Sequence, residues 1–180
     1  MKKPSDCGTT AGFKVTQSFL ESAYEELVSQ YFSGDKMPKL GEITMGFVGK
    51  KGAHATASCS FRRQIQKGLG GKIDKAEPKA NEFAVKGFII SNLRIDFNNA
   101  ANGNMTEKDA YETLIHEMIH IWQYLNETPT EWAAMPHGRG FLIKSRPMRA
   151  DGWDIGLRGL GSTGRPMSPA EKLRAKYNKG

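Results

Sequence analysis

Residues 116–120 read His-Glu-Met-Ile-His, an HExxH motif, and the prediction of the fold starts from this stretch. On an α-helix, residues four apart are separated by about 40° of rotation and about 6 Å of rise. The imidazoles of His116 and His120 can therefore converge on one metal ion. Glu117 lies about 100° around the helix from His116 and is placed to act as a general base. The motif thus puts two metal ligands and one base on a single helical turn, as in zinc peptidases.

The sequence around the motif predicts the helix that the motif requires. Thr106 and Asp109 match a capping box, with a hydroxyl N-cap and an acid three residues later. Apolar residues then recur at three- and four-residue spacing, which is the stripe of a helix that faces a core. They are Tyr111, Leu114, Ile115, Met118, Trp122 and Leu125. We expect this helix to run from about Glu107 to Leu125 and to end before Pro129.

A catalytic zinc usually has three protein ligands, so one more is needed. The metzincin pattern is excluded because Gln123 and Asn126 stand where it requires glycine and histidine. His137 follows His120 by 17 residues, enough for a loop and a return, and the glycines after it let the backbone pass close to the site. His137 is therefore the best-placed third ligand, and His54 is interpreted as structural or exposed. Carboxylates downstream remain alternatives in principle: Glu127, Glu131, Asp151 and Asp154.

Together these residues resemble a known family. HEMIH followed by His137-Gly138-x-x-Phe141 is similar to the SprT-like/Spartan metalloproteases, and residues 87–91 resemble the strand that precedes their active-site helix. The resemblance covers roughly residues 16–150. It implies one catalytic Zn²⁺ held by His116, His120 and His137, with Glu117 as the catalytic residue. It also implies a protease that cleaves proteins crosslinked or tightly bound to DNA.

The fold expected from this resemblance and from the sequence pattern is α+β, a minimal zincin-like domain. It contains an N-terminal helix, a three-stranded antiparallel or mixed sheet, the active-site helix and C-terminal helices. Many family members add a zinc ribbon of paired cysteines, but this chain has only Cys7 and Cys59 and no CxxC. A ribbon is therefore excluded, and targeting must come from another surface.

Length and composition indicate one domain that needs no disulfides. No apolar run approaches the length of a membrane span, and no apolar stretch follows the initial lysines as in a signal peptide. We expect a monomer in the reducing cytoplasm, with nucleoid association open and both cysteines free. The predicted parts are a flexible arm over 1–15, the metalloprotease domain over 16–150, and a basic, glycine-rich tail over 151–180.

The charge is unevenly distributed. The chain carries +7 at pH 7, with a sequence pI of about 9.4, and residues 138–180 alone hold ten basic and three acidic residues. Basic stretches of this kind form an electrostatic footprint for nucleic-acid phosphates, although a solubilising surface is the alternative. The candidate DNA contacts are Arg62, Arg63, Lys67, Arg139, Lys144, Arg146 and Arg149.

The remaining elements are predicted from local patterns. A first helix begins with Ser18 as its cap and runs to about Phe32. Two strands over 43–49 and 54–64 are joined by a Gly-Lys-Lys-Gly turn, and a third strand covers 86–91. Residues 67–81 form a long loop, and the third strand is an edge that pairs with an extended substrate. A short basic helix is predicted in the tail, from Ser168 to Tyr177.

The main hypothesis is zinc-dependent hydrolysis of peptide bonds with Glu117 as general base. Tyr111, Tyr124 and Arg139 are unranked candidates for stabilising the oxyanion. One alternative is a non-enzymatic, zinc-stabilised nucleic-acid-binding protein, which requires a fourth ligand such as Cys59 or His54. Another is a zinc peptidase that has no relation to DNA.

Overall fold

The computed structural model describes residues 1–49, 54–67, 73–99 and 103–155. It confirms the α+β class, with four helices, a mixed four-stranded sheet and a separate two-stranded ladder. The helices are α1 (Gln17–Tyr31), α2 (Glu107–Asn126), α3 (Pro129–Ala134) and α4 (Arg139–Ala150). The strands are β1 (Thr44–Val48), β2 (Ala55–Arg63), β3 (Ile65–Lys67), β4 (Ile73–Lys75), β5 (Phe83–Val85) and β6 (Phe88–Asn98).

Strand β6 is the centre of the main sheet. Strand β2 pairs antiparallel along one side of it, while β1, parallel, and β5, antiparallel, share the other side. The predicted strands on either side of the Gly-Lys-Lys-Gly turn therefore do not pair with each other, because β6 lies between them. Successive β6 residues Ile89 and Ile90 are both fully buried, so both faces of this strand are covered. The prediction of an edge position for this strand is wrong, and β2 lies at one edge of the described sheet.

The segment predicted as a long loop contains regular structure. Strand β4 lies within it and pairs antiparallel with β3, in the register Ile65↔Lys75 to Lys67↔Ile73. Residues 68–72, between the two strands, lie outside the described residues. The alternation of apolar and polar residues in β3 and β4 is too short to separate a strand from a loop by sequence.

The N-cap of α1 lies two residues before the predicted one. The cap is Thr16, whose Oγ1 accepts a hydrogen bond from the Phe19 N–H at 3.1 Å, and not Ser18. Both hydroxyls satisfy the sequence rule, so local chemistry alone did not distinguish them. The residues before α1, predicted as a flexible arm, lie against the domain. Cys7 and Val15 are buried there, and Phe13 forms a β-bridge with Met105 just before α2.

Helix α2 runs through the core and confirms its prediction closely. Thr106 Oγ1 accepts from the Asp109 N–H at 3.0 Å, and the Asp109 carboxylate accepts from the Thr106 N–H at 2.9 Å. The helix buries half of its residues against the sheet and the other helices. Helix α4 packs against it through the fully buried Phe141 and Met148, as expected for the segment after His137.

Helix α3 was not predicted, although its start carries a clear signal. Thr128 and Glu131 form a second capping box, with Pro129 at the first helical position. The prediction read this segment only as the turn that ends α2. The turn and the new helix are both present, because Glu127 ends α2 in an extended conformation and α3 starts two residues later at Pro129.

The structure also bears on the predictions about the cysteines, membrane-spanning helices and the C-terminal tail. Cys7 and Cys59 are free thiols. Among the described residues, no helix has the length and apolar character needed to cross a bilayer. Trp153 and Ile155 are buried, so the start of the predicted tail belongs to the packed domain. The helix predicted from Ser168 to Tyr177 falls on residues outside the described part of the chain.

Replacing Thr106 by alanine removes the N-cap of the helix that carries HExxH. The free energy of unfolding should fall by about 1 kcal/mol, because the Asp109 N–H loses its acceptor. Urea denaturation of the metal-free protein measures this. Thr10→Ala, at an exposed threonine, is the matched control and should change stability little. Equal stability of the Thr106 and Thr10 variants would contradict the role given to the cap.

Candidate metal centre

Three histidines meet at one point beside α2. The helix supplies His116 and His120, and the turn between α3 and α4 supplies His137. Their Nε2 atoms are 3.3 Å apart for His116 and His120, 3.2 Å for His120 and His137, and 3.0 Å for His137 and His116. Within the described residues, this is the cluster of histidine, cysteine and acidic side chains able to hold a metal ion.

The spacing of these nitrogens fits a tetrahedral metal. Two ligands bound at about 2.0 to 2.1 Å with a tetrahedral angle between them are about 3.3 Å apart. Proton positions support the same conclusion. His116 Nδ1 lies 3.0 Å from the Ile155 carbonyl oxygen, which only accepts, so the proton of the neutral ring is on Nδ1. The lone pair of His116 Nε2 therefore faces the other two histidines, an arrangement suited to a cation.

The segment after His137 has a packing role that explains its sequence. The Gly138 N–H donates to the Met135 carbonyl at 2.9 Å, and a Cβ at Gly138 would lie 2.9 Å from that same oxygen. Phe141, one turn into α4, places its ring centroid 4.8 to 5.0 Å from those of all three imidazoles. Glycine allows the close turn, and the phenylalanine forms the apolar platform under the metal ligands.

Glu117 is buried and held by the edge strand. Its Oε2 accepts a hydrogen bond from the Ala57 N–H of β2 at 2.5 Å. Burial raises the pKa of Glu117 to about 7, and the Ala57 bond opposes part of this shift. A cation bound by the neighbouring histidines would lower the pKa of Glu117 again, because it favours the carboxylate. Without a cation, the Glu117 carboxyl therefore exchanges its proton near neutral pH.

One of the three oxyanion candidates is close to Glu117. The Tyr124 hydroxyl donates to the Ala57 carbonyl at 3.2 Å, so Tyr124 and Glu117 bind the C=O and the N–H of the same β2 residue. Tyr111 instead directs its hydroxyl to Glu26 of α1 at 3.4 Å. Arg139 is exposed at the start of α4. Tyr124 is the candidate that the fold brings to the site.

The structure does not bring the alternative ligands into the cluster. Neither His54 nor Cys59 belongs to it, and the four carboxylates weighed as third ligands are also outside it. Asp151 accepts from Tyr31 at 2.8 Å, and Glu131 accepts from the Thr128 N–H at 2.5 Å. These bonds give both carboxylates other roles.

The seven basic residues predicted to contact DNA differ in their surroundings. The guanidinium of Arg62 makes two hydrogen bonds to Glu82, at 3.3 and 2.9 Å. The Lys144 ammonium contacts the Asp35 carboxylate and donates to the Tyr31 carbonyl at 2.9 Å. Both of these charges are paired with acidic side chains of the protein itself. Arg63 on β2 and Arg139, Arg146 and Arg149 on α4 are exposed, and the Lys67 side chain lies outside the described residues.

Sequence reasoning missed residues that support the site. Gln123, fully buried, contacts His120 Nδ1 through its Oε1 at 2.9 Å. Its position three residues after His120 on the same helix face, with a polar side chain facing the core, was a usable signal. The bonds from Ala57 and Ile155 involve only their backbones, so their side-chain identities give no signal.

Comparison with known proteins gives one match. The model of the SprT-like family matches residues 20–153, which include all four residues of the site and most of the described fold. No curated protein matches the sequence.

The three clustered histidines should lower the stability of the metal-free protein as the pH falls below neutral. Glu117 should oppose this loss, because burial raises its pKa to about 7 and the folded protein then takes up its proton before the unfolded chain does. Burial lowers the pKa of His120 to about 3, and burial also lowers the pKa of His116 and His137. Below pH 6.5 the unfolded chain binds protons that the folded site excludes, so this stability is present above pH 6.5 and is lost on acidification. His120 alone should account for about 2 kcal/mol between pH 6.5 and 5.

Urea unfolding at pH 7 and pH 5 tests this expectation. His120→Gln should show a smaller loss between the two values than the wild-type protein, by about that same amount. His54→Gln, at an exposed histidine, should keep the wild-type pH dependence. An unchanged pH dependence in His120→Gln would argue against a buried, neutral His120.

Proposed function

This chain belongs to the SprT-like family, and on that premise we propose that it is a zinc-dependent endopeptidase acting on DNA-bound or DNA-crosslinked proteins. The observation that carries the proposal is the convergence of the Nε2 atoms of His116, His120 and His137, with Glu117 on the same turn of α2. Three nitrogen ligands suit zinc and leave one tetrahedral position for water or substrate.

The proposed mechanism assigns each step to a residue of the chain. Zinc, when bound, supplies Lewis-acid chemistry for water activation and carbonyl polarisation. Glu117 Oε2 is held by the Ala57 N–H, which leaves Oε1 to take the proton from the attacking water. The same carboxyl then delivers this proton to the leaving amine. Tyr124, next to Glu117, is the proposed donor to the oxyanion after it leaves the Ala57 carbonyl.

The edge strand supports the choice of an extended substrate. Strand β2 pairs with β6 on one side, and no described strand pairs with its other side, which is next to Glu117. An extended peptide can add to such an edge through backbone hydrogen bonds, which give affinity with little dependence on sequence. We therefore transfer the substrate-pairing role from the central strand β6 to β2.

The non-enzymatic alternative lacks support at the site. Structural zinc centres are normally closed by four protein ligands, but among the described residues the cluster holds three. Such a centre would also have no use for a buried carboxylate beside the open position. A zinc peptidase unrelated to DNA is distinguished from our proposal by DNA binding alone.

For the DNA partner we propose the exposed face of α4. Arg139, Arg146 and Arg149 follow one another at seven- and three-residue spacing, so they share one side of the helix. No acidic residue occurs in α4, and these three arginines have no ion-pair partner within the described part of the chain. Freely exposed guanidinium groups are suited to phosphate binding. Lys144 and Arg62 are left out of this surface because their charges are paired internally.

Glu117→Gln should bind zinc as the wild type does and cleave at least about 100-fold more slowly, because the general base is lost. The assay follows cleavage of a basic DNA-binding protein with and without DNA, and metal content is measured on the same preparations. Gln17→Leu, at an exposed glutamine of α1, is the control with wild-type activity. A Glu117→Gln protein that cleaves at the wild-type rate would refute the mechanism.

Replacing Arg139, Arg146 and Arg149 together by alanine should weaken DNA binding in low salt. Each arginine that neutralises a phosphate contributes about one unit to the slope of log affinity against log salt concentration. The slope should therefore fall by up to about three. The control replaces three exposed lysines elsewhere in the fold, Lys14, Lys39 and Lys79, and so removes equal charge. Equal losses in both variants would show that only net charge matters, and absence of binding by the wild type would remove DNA from the proposal.

A further inference from the structure

We propose that Gln123 and Glu127 form a positioning pair that fixes the tautomer and orientation of His120 for metal binding. Both residues act through His120 and touch no reacting atom. The inference rests on the metal site of the proposed function, but it makes no use of peptidase activity.

The pair is built on the face of α2 that carries the histidines. His120, Gln123 and Glu127 are spaced by three and four residues, so their side chains follow one another along the helix. His120 Nδ1 and Gln123 Oε1 are 2.9 Å apart, and Gln123 Nε2 donates to Glu127 Oε2 at 3.1 Å. Gln123 is only 1% exposed, so its amide is shielded from water, whereas Glu127 is half-buried.

The Glu127 carboxylate sets the donor and acceptor directions of the two hydrogen bonds that link His120, Gln123 and Glu127. A carboxylate only accepts hydrogen bonds, so Glu127 requires the amide nitrogen of Gln123 on its side. The amide oxygen of Gln123 must then face His120, and it requires the proton of His120 on Nδ1. The lone pair of His120 is thereby left on Nε2, the atom that meets the other two histidines. A hydrogen-bond acceptor at the Nδ1 of a metal-bound imidazole orients the ring and raises the basicity of its Nε2.

The start of α4 is shaped to hold the Glu127 carboxylate. A Cβ at Gly140 would lie 1.6 Å from Glu127 Oε1, so a side chain at this position would displace the carboxylate. Gly138 provides no side-chain cap to α4, and the N-terminal end of this helix, where the helix dipole is positive, lies next to the Glu127 carboxylate. The placement of Glu127 therefore depends on glycine at position 140.

His116 and His120 differ in the group that fixes their Nδ1 atoms. His116 Nδ1 is fixed by the backbone carbonyl of Ile155, which no substitution removes. His120 is fixed by a side chain, so its support can be changed while the fold is kept. This makes Gln123 the position at which metal affinity can be tuned without altering a ligand.

The test measures metal affinity by competition between the protein and a chelator for Zn²⁺, and the visible spectrum of the Co²⁺-loaded protein. Gln123→Leu should weaken Zn²⁺ binding by about 10- to 100-fold and change the Co²⁺ spectrum. Glu127→Gln should weaken it less, because the Gln123 amide then has no fixed direction. The double variant Gln123→Glu/Glu127→Gln exchanges acceptor and donor along the chain, keeps the net charge, and should recover affinity relative to Glu127→Gln.

The control is Gln30→Leu, which removes a glutamine of α1 whose Nε2 donates to the Lys2 carbonyl at 3.0 Å, away from the histidines. It should leave Zn²⁺ affinity unchanged. Wild-type affinity in Gln123→Leu would overturn the inference. If that variant does not fold, the exchange variant decides, and affinity no better than that of Glu127→Gln would overturn it. Because affinity is read without cleavage, failure of the peptidase proposal and failure of this one give different results.

Discussion

Three imidazole nitrogens that face one point at 3.0 to 3.3 Å are the constraint on which the rest of this structure depends. Without a cation, buried lone pairs at this distance repel one another and have no donor to satisfy them. The surrounding fold holds them in place. The capped helix α2 fixes two of them, and Phe141 packs under all three. A site preorganised in this way binds a metal without ordering its ligands first.

The carboxylate of Glu117, the proposed general base, is held by a backbone hydrogen bond from the sheet. Strand β2 supplies the Ala57 N–H that holds Glu117, and Tyr124 binds the carbonyl of that residue. The edge strand, the proposed base and the proposed oxyanion donor are therefore joined through one residue of the backbone. A peptide that pairs with β2 would be placed in register with Glu117 by hydrogen bonds that ignore side chains. This arrangement would suit the proposed endopeptidase, because backbone pairing does not depend on the substrate's side chains.

The sequence predicted the parts of the site that depend on local periodicity. HExxH, the capping box at Thr106 and the apolar stripe together determine α2, and the return to His137 follows from the need for a third ligand. The order of strands was not predictable, because β1 and β2 are separated by a strand that comes 25 residues after β2 in the chain. Such pairing depends on tertiary packing, since local propensity cannot specify a neighbour. The supports from Ala57 and Ile155 use backbone atoms, which any residue would provide.

Helix α4 joins the two halves of the proposed function. Its inner side carries Phe141 beneath the histidines and is anchored to the end of α1 by Lys144, which donates to the Tyr31 carbonyl and pairs with Asp35 just after that helix. Its outer side carries the unpaired arginines. A partner that bound the outer side would therefore contact an element whose first turn follows directly from His137. The arginines proposed to bind phosphate and the histidine before α4 therefore lie on one short stretch of chain, so DNA bound as proposed would hold its protein near the edge strand.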